Sequence, residues 1–271
     1  MNLQLTDKIA IITGGTRGIG AGIARVLAAE GVHLALAYRS DTEGALRFTR
    51  ELTEQYGIQA HAIKADVTIP EEVEAFYQKA LALFPTVHIL INNAAASFAT
   101  PVVETTDGQW YNVMKTNVDG VFFFAREVGK VMIAQNYGKI INIGSFHCQV
   151  TMNGVPRSGY STAKGAVLMM SKALAAEWAK NNITVNVLGP GYFASEMSAK
   201  VANEAYEASI RNNCPHSLMY TSRTMASGIT AMLRTMSLIS SARFIGSLPA
   251  SSISSCALKR IKSVSCSCMK F

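Results

Sequence analysis

The sequence predicts an α/β fold built on a single doubly wound parallel sheet, and three observations carry that prediction. Short apolar runs alternate with helix-periodic segments across residues 8–188, the pattern of strand–helix–strand units with right-handed crossovers. A glycine-rich turn lies between the first apolar run and the first helical segment. The glycine and polar residues able to do chemistry fall at the C-terminal ends of the apolar runs, where ligands sit in such sheets.

Residues 8–13 form the first run, short and apolar enough for a buried strand. Gly14-Gly-Thr-Arg-Gly18-Ile-Gly20 follows at once. Ile19, Ile23, Val26 and Leu27 then repeat on one helix face. Strand, glycine turn and helix are the context of a phosphate site: small residues let the backbone approach, and the helix N-terminus offers N–H groups and a positive dipole. An unliganded glycine turn is the plainer alternative.

Residues 31–38 are the second strand. At its end a dinucleotide site that prefers NAD would place a carboxylate for the ribose 2′-hydroxyl. Here stand Tyr38, Arg39 and Ser40, and a guanidinium suits a 2′-phosphate instead. Arg17 is a candidate second clamp, and NADP(H) is favoured over NAD(H). Residues 41–56 read as a helix, 58–64 as the third strand, ending at Asp66 and Val67. Residues 70–83 read as a helix that Pro70 opens. Residues 87–91 are the fourth strand, running into Asn92-Asn-Ala-Ala95. One long helix is expected over 107–135, with Trp110, Val113, Met114, Val118, Val121 and Phe122 as its apolar side and Asn117 interrupting it. Residues 138–143 are the fifth strand, ending in Gly144-Ser145; a helix follows over 158–180. Residues 183–188 are the sixth strand, ending in Gly189-Pro-Gly191.

Tyr160 and Lys164 lie one turn apart on that last helix. A free tyrosine, with a pKa of about 10, is a poor acid or base at neutral pH. A lysine ammonium beside it favours the phenolate and equips the pair for proton transfer. Such a spacing alone is usually a surface pair; its place among the other strand-end residues gives it meaning.

Composition sets the bounds. No apolar stretch approaches a membrane span, and the apolar run after Lys8 is too short for a signal peptide. The five cysteines complete no metal or disulfide framework, so no metal and a cytoplasmic location with reduced thiols are expected. The net charge is +7, yet residues 208–271 hold eight Lys and Arg and no acid, while residues 1–207 hold the other 17 basic groups and all 18 acids. The near-neutral body gives no sign of a nucleic-acid partner.

These residues together resemble the short-chain dehydrogenase/reductase family, over about residues 5–215. The matching pieces are Thr13-Gly-Gly-Thr-Arg-Gly-Ile-Gly20, Asp66-Val67, Asn92-Asn-Ala-Ala95, Asn117, Ser145, Tyr160-x-x-x-Lys164 and Pro190-Gly191. Within the family the chain is similar to the 3-oxoacyl-carrier-protein reductase and gluconate 5-dehydrogenase branches. The resemblance implies a Rossmann-type domain and an NADP(H)-dependent oxidoreductase interconverting a ketone and a secondary alcohol, like a 3-oxoacyl-thioester reductase, acting on a small carbonyl or alcohol substrate. A sugar-acid dehydrogenase is the alternative within the class; a nucleotide-binding protein with impaired turnover is the alternative outside it.

The resemblance also implies roles. Tyr160 is the acid/base, Lys164 supports it and holds the nicotinamide ribose, Ser145 hydrogen-bonds the substrate oxygen, and Asn117 organises a proton-relay water. Cofactor contacts fall to Gly14, Thr16, Arg17, Gly18, Ile19, Gly20, Arg39, Ser40, Asp66, Val67, Asn93 and Ala94, with Asn92 beside the cofactor. Pro190, Gly191, Phe193 and Ser195 border the nicotinamide, and a homodimer or homotetramer is implied.

Three departures stand out. Ala95 replaces a customary glycine. The Ser145–Tyr160 interval is about two residues longer than usual, so the loop through His147, Cys148 and Met152 reshapes the substrate pocket. A loop histidine such as His147 is more often exposed than bound to substrate. Beyond residue 215 the family pattern stops, and residues 216–271 form a basic, serine-rich tail of the kind a shifted reading frame would produce. A genuine basic tail for nucleic acid or membrane is the weaker rival.

Overall fold

The computed structural model describes residues 4–151 and 154–190. Six strands make one parallel sheet: β1 (Ile9–Thr13), β2 (His33–Tyr38), β3 (Ala60–Lys64), β4 (Ile89–Asn92), β5 (Gly138–Ile143) and β6 (Ile183–Leu188). Their order is β3-β2-β1-β4-β5-β6. The order reverses between β1 and β4, so a crevice opens there beyond the strand ends. Each observed strand lies within one or two residues of the predicted run.

Both faces of the sheet are covered, which is why the strands read as continuous apolar runs. Alternation along β1 sends Ala10 and Ile12 to one face and Ile9 and Ile11 to the other. On the first face α1 (Gly18–Ala29) and α2 (Thr42–Tyr56) contribute Ile23, Leu27, Phe48 and Leu52. On the second, α3 (Pro70–Leu83), α5 (Gly120–Ala134) and α6 (Ser158–Trp178) contribute Phe76, Phe124, Val128 and Trp178. Phe76 and Phe124 meet edge to face at 5.2 Å, and burying each ring stabilises the fold by about 1.5–3 kcal/mol. A Cβ on Gly129 would stand 3.0 Å from the Trp178 ring, so a glycine there lets α6 close on α5.

The helix ends follow local chemistry. Asp41 caps α2 by accepting from the Gly44 N–H, and Gly57 ends it in the left-handed region at φ +68°. Pro70 opens α3, with Glu71 and Glu72 in its first turn facing the positive dipole end. Thr106 and Gln109 form a reciprocal capping box at the start of α4 (Asp107–Met114).

The helix expected over 107–135 is interrupted at Asn117, as the sequence reading has it. A π turn, Lys115–Asp119, separates α4 from α5. Its apolar side does not all face inward. Val113 and Val121 are buried, but Trp110 and Phe122 are 37% and 45% exposed. The tail and the boundary at residue 215 lie outside the described residues.

Candidate active site

The glycine turn is closed by contacts only glycine permits. Gly14 and Gly18 take φ of +60° and +53°, costly for other residues. A Cβ on Gly20 would stand 2.1 Å from the Gly14 carbonyl oxygen and 2.7 Å from Asn93 Nδ2. Asn93 Nδ2 donates to the carbonyls of Thr13 and Gly14 at 3.0 and 3.1 Å. Thr13 Oγ1 in turn accepts from the N–H groups of Asn93 and Ala94 at 2.9 and 3.0 Å. The end of β4 is thereby laced to the turn after β1.

This cradle fits a dinucleotide pyrophosphate. The N-cap of α1 is Arg17, in extended conformation with no side-chain cap bond, and no acid stands in the first turn. Among the described residues, apart from its chain neighbours and its own helix backbone, no atom lies within 4 Å of where a Gly18 Cβ would be, so a ligand can approach the backbone. Thr16 and Ile19 are half-buried, Arg17 and Gly18 are exposed, and Gly20 is buried.

Arg39 and Ser40 are exposed at the end of β2. The nearest carboxylate in sequence, Asp41, is engaged in capping α2. At the end of β3, Asp66 Oδ1 accepts from the Thr68 N–H and hydroxyl at 2.9 and 2.7 Å, and Val67 is buried against Gly120. The Asn92 side chain turns to β5 instead of to the glycine turn. It is buried and donates to Asn142 Oδ1 at 2.9 Å; Asn142 donates to Ser171 Oγ at 2.7 Å, which donates to the Val167 carbonyl.

Asn117 occupies the middle of the π turn and is wholly buried. Its side chain accepts from the Ala96 N–H at 2.8 Å and donates to the Ala96 carbonyl at 2.9 Å. It therefore pins the segment leaving β4. Ser145, just past β5, caps the short turn Phe146–Cys148 by accepting from the His147 N–H at 3.2 Å. The Phe146 N–H donates to the Pro190 carbonyl at 3.2 Å, bringing Pro190 beside it. Gly191, Phe193 and Ser195 lie outside the described residues.

Tyr160 is in the first turn of α6, half-buried, with Lys164 one turn on. Lys164 Nζ lies 5.7 Å from the Tyr160 ring centre and donates to the Ile143 carbonyl at 2.6 Å. Burial pushes the Lys164 pKa down to about 8, against a smaller opposing pull from Cys148. The structure thus brings Ser145, Tyr160, Lys164 and the Asn117-anchored segment to one end of the sheet.

Two neighbours go beyond the sequence reading. His147 is buried rather than exposed, and its ring meets Tyr160 edge-on at 5.8 Å. Its Nδ1 lies 3.3 Å from the Val150 carbonyl, which assigns the proton of the neutral ring to Nδ1. Burial first, and then the charge of Arg157, push its pKa down to about 4. Arg157, also buried, holds its guanidinium 5.8 Å from the Tyr160 ring centre and donates to Ser97 Oγ at 2.6 Å. Neither Arg157 nor Ser97 was a sequence candidate. The available signal was an arginine three residues before the tyrosine, at the entry to the same helix. Among the described residues no cluster of His, Cys, Asp and Glu could hold a metal ion, and no helix is long and apolar enough to cross a membrane.

A parallel sheet in this order, a glycine cradle at its switch point and a Ser–Tyr–Lys group on the same edge define a nucleotide-dependent oxidoreductase of Rossmann type. The chain belongs to the short chain dehydrogenase family, whose profile matches residues 8–205; the family binds a nicotinamide cofactor. It is 39% identical over 198 residues to galactitol 2-dehydrogenase (L-tagatose-forming) of Cereibacter sphaeroides, covering 73% of this chain and 76% of that one. It is 32% identical over 202 residues to 3-oxoacyl-[acyl-carrier-protein] reductase of Escherichia coli, covering 74% and 80%. A gluconate 5-dehydrogenase of Burkholderia cenocepacia, solved with NADP and tartrate, superposes with a TM-score of 0.81 at 30% identity, covering 90% of this chain and 95% of that one.

Proposed function

We propose that this oxidoreductase is NADP(H)-dependent and interconverts a ketone and a secondary alcohol, with Tyr160 as the acid/base. The observation that carries the reading is Lys164: a fully buried ammonium one turn from Tyr160, held by the Ile143 carbonyl. A positive charge so placed stabilises negative charge on the phenol oxygen. The cofactor, when bound, supplies or takes the hydride. Ser145 and Tyr160 hydrogen-bond the substrate oxygen as charge grows on it. Tyr160 donates its proton in reduction and accepts one in oxidation. Asn117 holds the segment through Ala96 and supports the proton path; Lys164 also binds the ribose.

The cofactor choice rests on Arg39 at the end of β2 and on Asp41, whose carboxylate caps a helix. Gly14, Thr16, Gly18, Ile19 and Gly20 would cradle the pyrophosphate, Arg17 and Arg39 with Ser40 the 2′-phosphate, Asp66 and Val67 the adenine. Asn93 and Ala94 would flank the nicotinamide half, with Pro190, Gly191, Phe193 and Ser195. We read the protein as a cytoplasmic homo-oligomer. Its cysteine spacing suits a reducing compartment, and exposed Tyr111, Phe122 and Ile133 on α4 and α5 offer apolar surface.

Between an acyl-chain substrate and a hydroxylated one, the polar groups around Tyr160 favour the second. Ser97, His147 and Arg157 form a wall suited to a polyol or sugar acid. The test is Tyr160→Phe, which removes one proton and little volume. Ketone reduction should fall about a hundredfold or more, while NADPH still binds by its fluorescence. Turnover near that of the unmodified chain would assign the proton to another group.

A further inference from the structure

We propose that Arg157 is a specificity-determining residue, the anion-recognising end of the substrate pocket, and that the substrate is a hydroxy or keto acid whose carboxylate lies a short carbon chain from the reacting carbon. This deepens the proposed function and rests on Tyr160 marking the reacting centre.

Position comes first. Arg157 is the N-cap residue of α6, and its carbonyl accepts from the Ser161 N–H at 2.8 Å. The helix that carries Tyr160 therefore fixes the arginine relative to it. The guanidinium stands 5.8 Å from the Tyr160 ring centre, near enough for one small molecule to touch both. Its orientation is held from the segment that follows β4, where Nη1 donates to Ser97 Oγ at 2.6 Å. Ser97 directly follows Ala96, the residue Asn117 grips through both backbone groups. Preorganisation of this kind keeps a binding group productive.

Charge comes second. A guanidinium presents its donors as a planar fork that matches a carboxylate bidentately, and burial strengthens the interaction. His147, beside the same tyrosine, stays neutral at physiological pH, so it adds no competing cation. A neutral polyol would use only part of this donor set. A thioester chain would use still less.

The test uses the full chain with NADPH and matched pairs of short ketones, each a keto acid and its methyl ester. Expected is a kcat/KM for the acid at least about tenfold above the ester. Arg157→Gln should bring that ratio close to one, chiefly by raising KM for the acid, and Arg157→Lys should restore part of it. A ratio near one in the unmodified chain, or one that Arg157→Gln leaves unchanged, overturns the proposal. Circular dichroism reports whether each variant folds; if Arg157→Gln does not, the acid-to-ester ratio of the unmodified chain and Arg157→Lys decide.

If no ketone or alcohol turns over, the oxidoreductase reading of the site fails. Anion recognition is then judged by tryptophan fluorescence. Trp110 packs against Gly159, 3.6 Å from where its Cβ would be, and is one of two tryptophans in the chain. Malonate should change its emission saturably, with malonamide without effect and Arg157→Gln insensitive. Equal responses to malonate and malonamide overturn the proposal.

Discussion

Lowering the pH should weaken this fold through His147 in particular. Burial and the Arg157 charge push its pKa down from the ordinary 6.5 to about 4. The unfolded chain therefore takes up a proton that the native chain refuses. The stabilising contribution is fully present above pH 6.5, is lost as the pH falls towards 4, and changes no further below that. Each pH unit between the two midpoints is worth about 1.4 kcal/mol, which sets a ceiling of about 3.5 kcal/mol. Exposed Val150 and Thr151 at the loop edge admit solvent and reduce this to about 2 kcal/mol. Urea unfolding at pH 7.5 and 4.5, on the unmodified chain and on His147→Gln, measures it. Glu127 adds to acid sensitivity in both proteins: burial opposes its ionisation, but hydrogen bonds from Lys130 and Arg126 outweigh that and hold its pKa low. The informative quantity is thus the difference between the two slopes. The variant should lose about 2 kcal/mol less than the parent, and identical losses would refute the burial of a neutral imidazole beside Tyr160.

Arg39→Ala should reduce the kcat/KM preference for NADPH over NADH by about tenfold, as expected for one lost charge-assisted contact; equal preference in the unmodified chain would remove the NADP assignment. Gly20→Ala forces a methyl against the Gly14 carbonyl and Asn93, so it should cost about 1–3 kcal/mol in thermal unfolding and weaken NADPH binding. Wild-type affinity and stability together would show that the turn yields. Light scattering at micromolar concentration should give a dimeric or tetrameric mass, with Phe122→Glu lowering it; a monomeric mass in the parent would leave the exposed apolar residues of α4 and α5 without that role.

The strands were legible because a parallel sheet covered on both faces makes each one a continuous apolar run. The glycine turn was legible because its context was local. What the sequence hid depends on direction and distance. Asn92 is the last residue of β4 and Asn93 the first beyond it, and their side chains go to different partners. Only Asn93 reaches the turn, while Asn92 goes to Asn142. Phe122 and Val121 look equally apolar, yet hydropathy does not separate a core contact from an outward one. His147 looked like an ordinary loop residue until the fold packed Phe146, Tyr160 and Arg157 around it. Arg157 acquires meaning only through Ser97, sixty residues earlier, a pairing no local pattern encodes.

The π turn at Lys115–Asp119 makes this stretch unusually tolerant of losing one residue. An α-helix advances about 100° per residue, whereas the wider turn absorbs one more residue without advancing the phase. Deleting a single residue there would restore unbroken α-helical hydrogen bonding and leave α5 in its present phase. Phe124, Val128 and Met132 would keep their places against the sheet. The loss would be local, because the Asn117 amide would turn away from Ala96, which it now grips through both backbone groups. A one-codon loss in this segment is therefore expected to spare the fold and damage the site, although it would make the helix itself more regular.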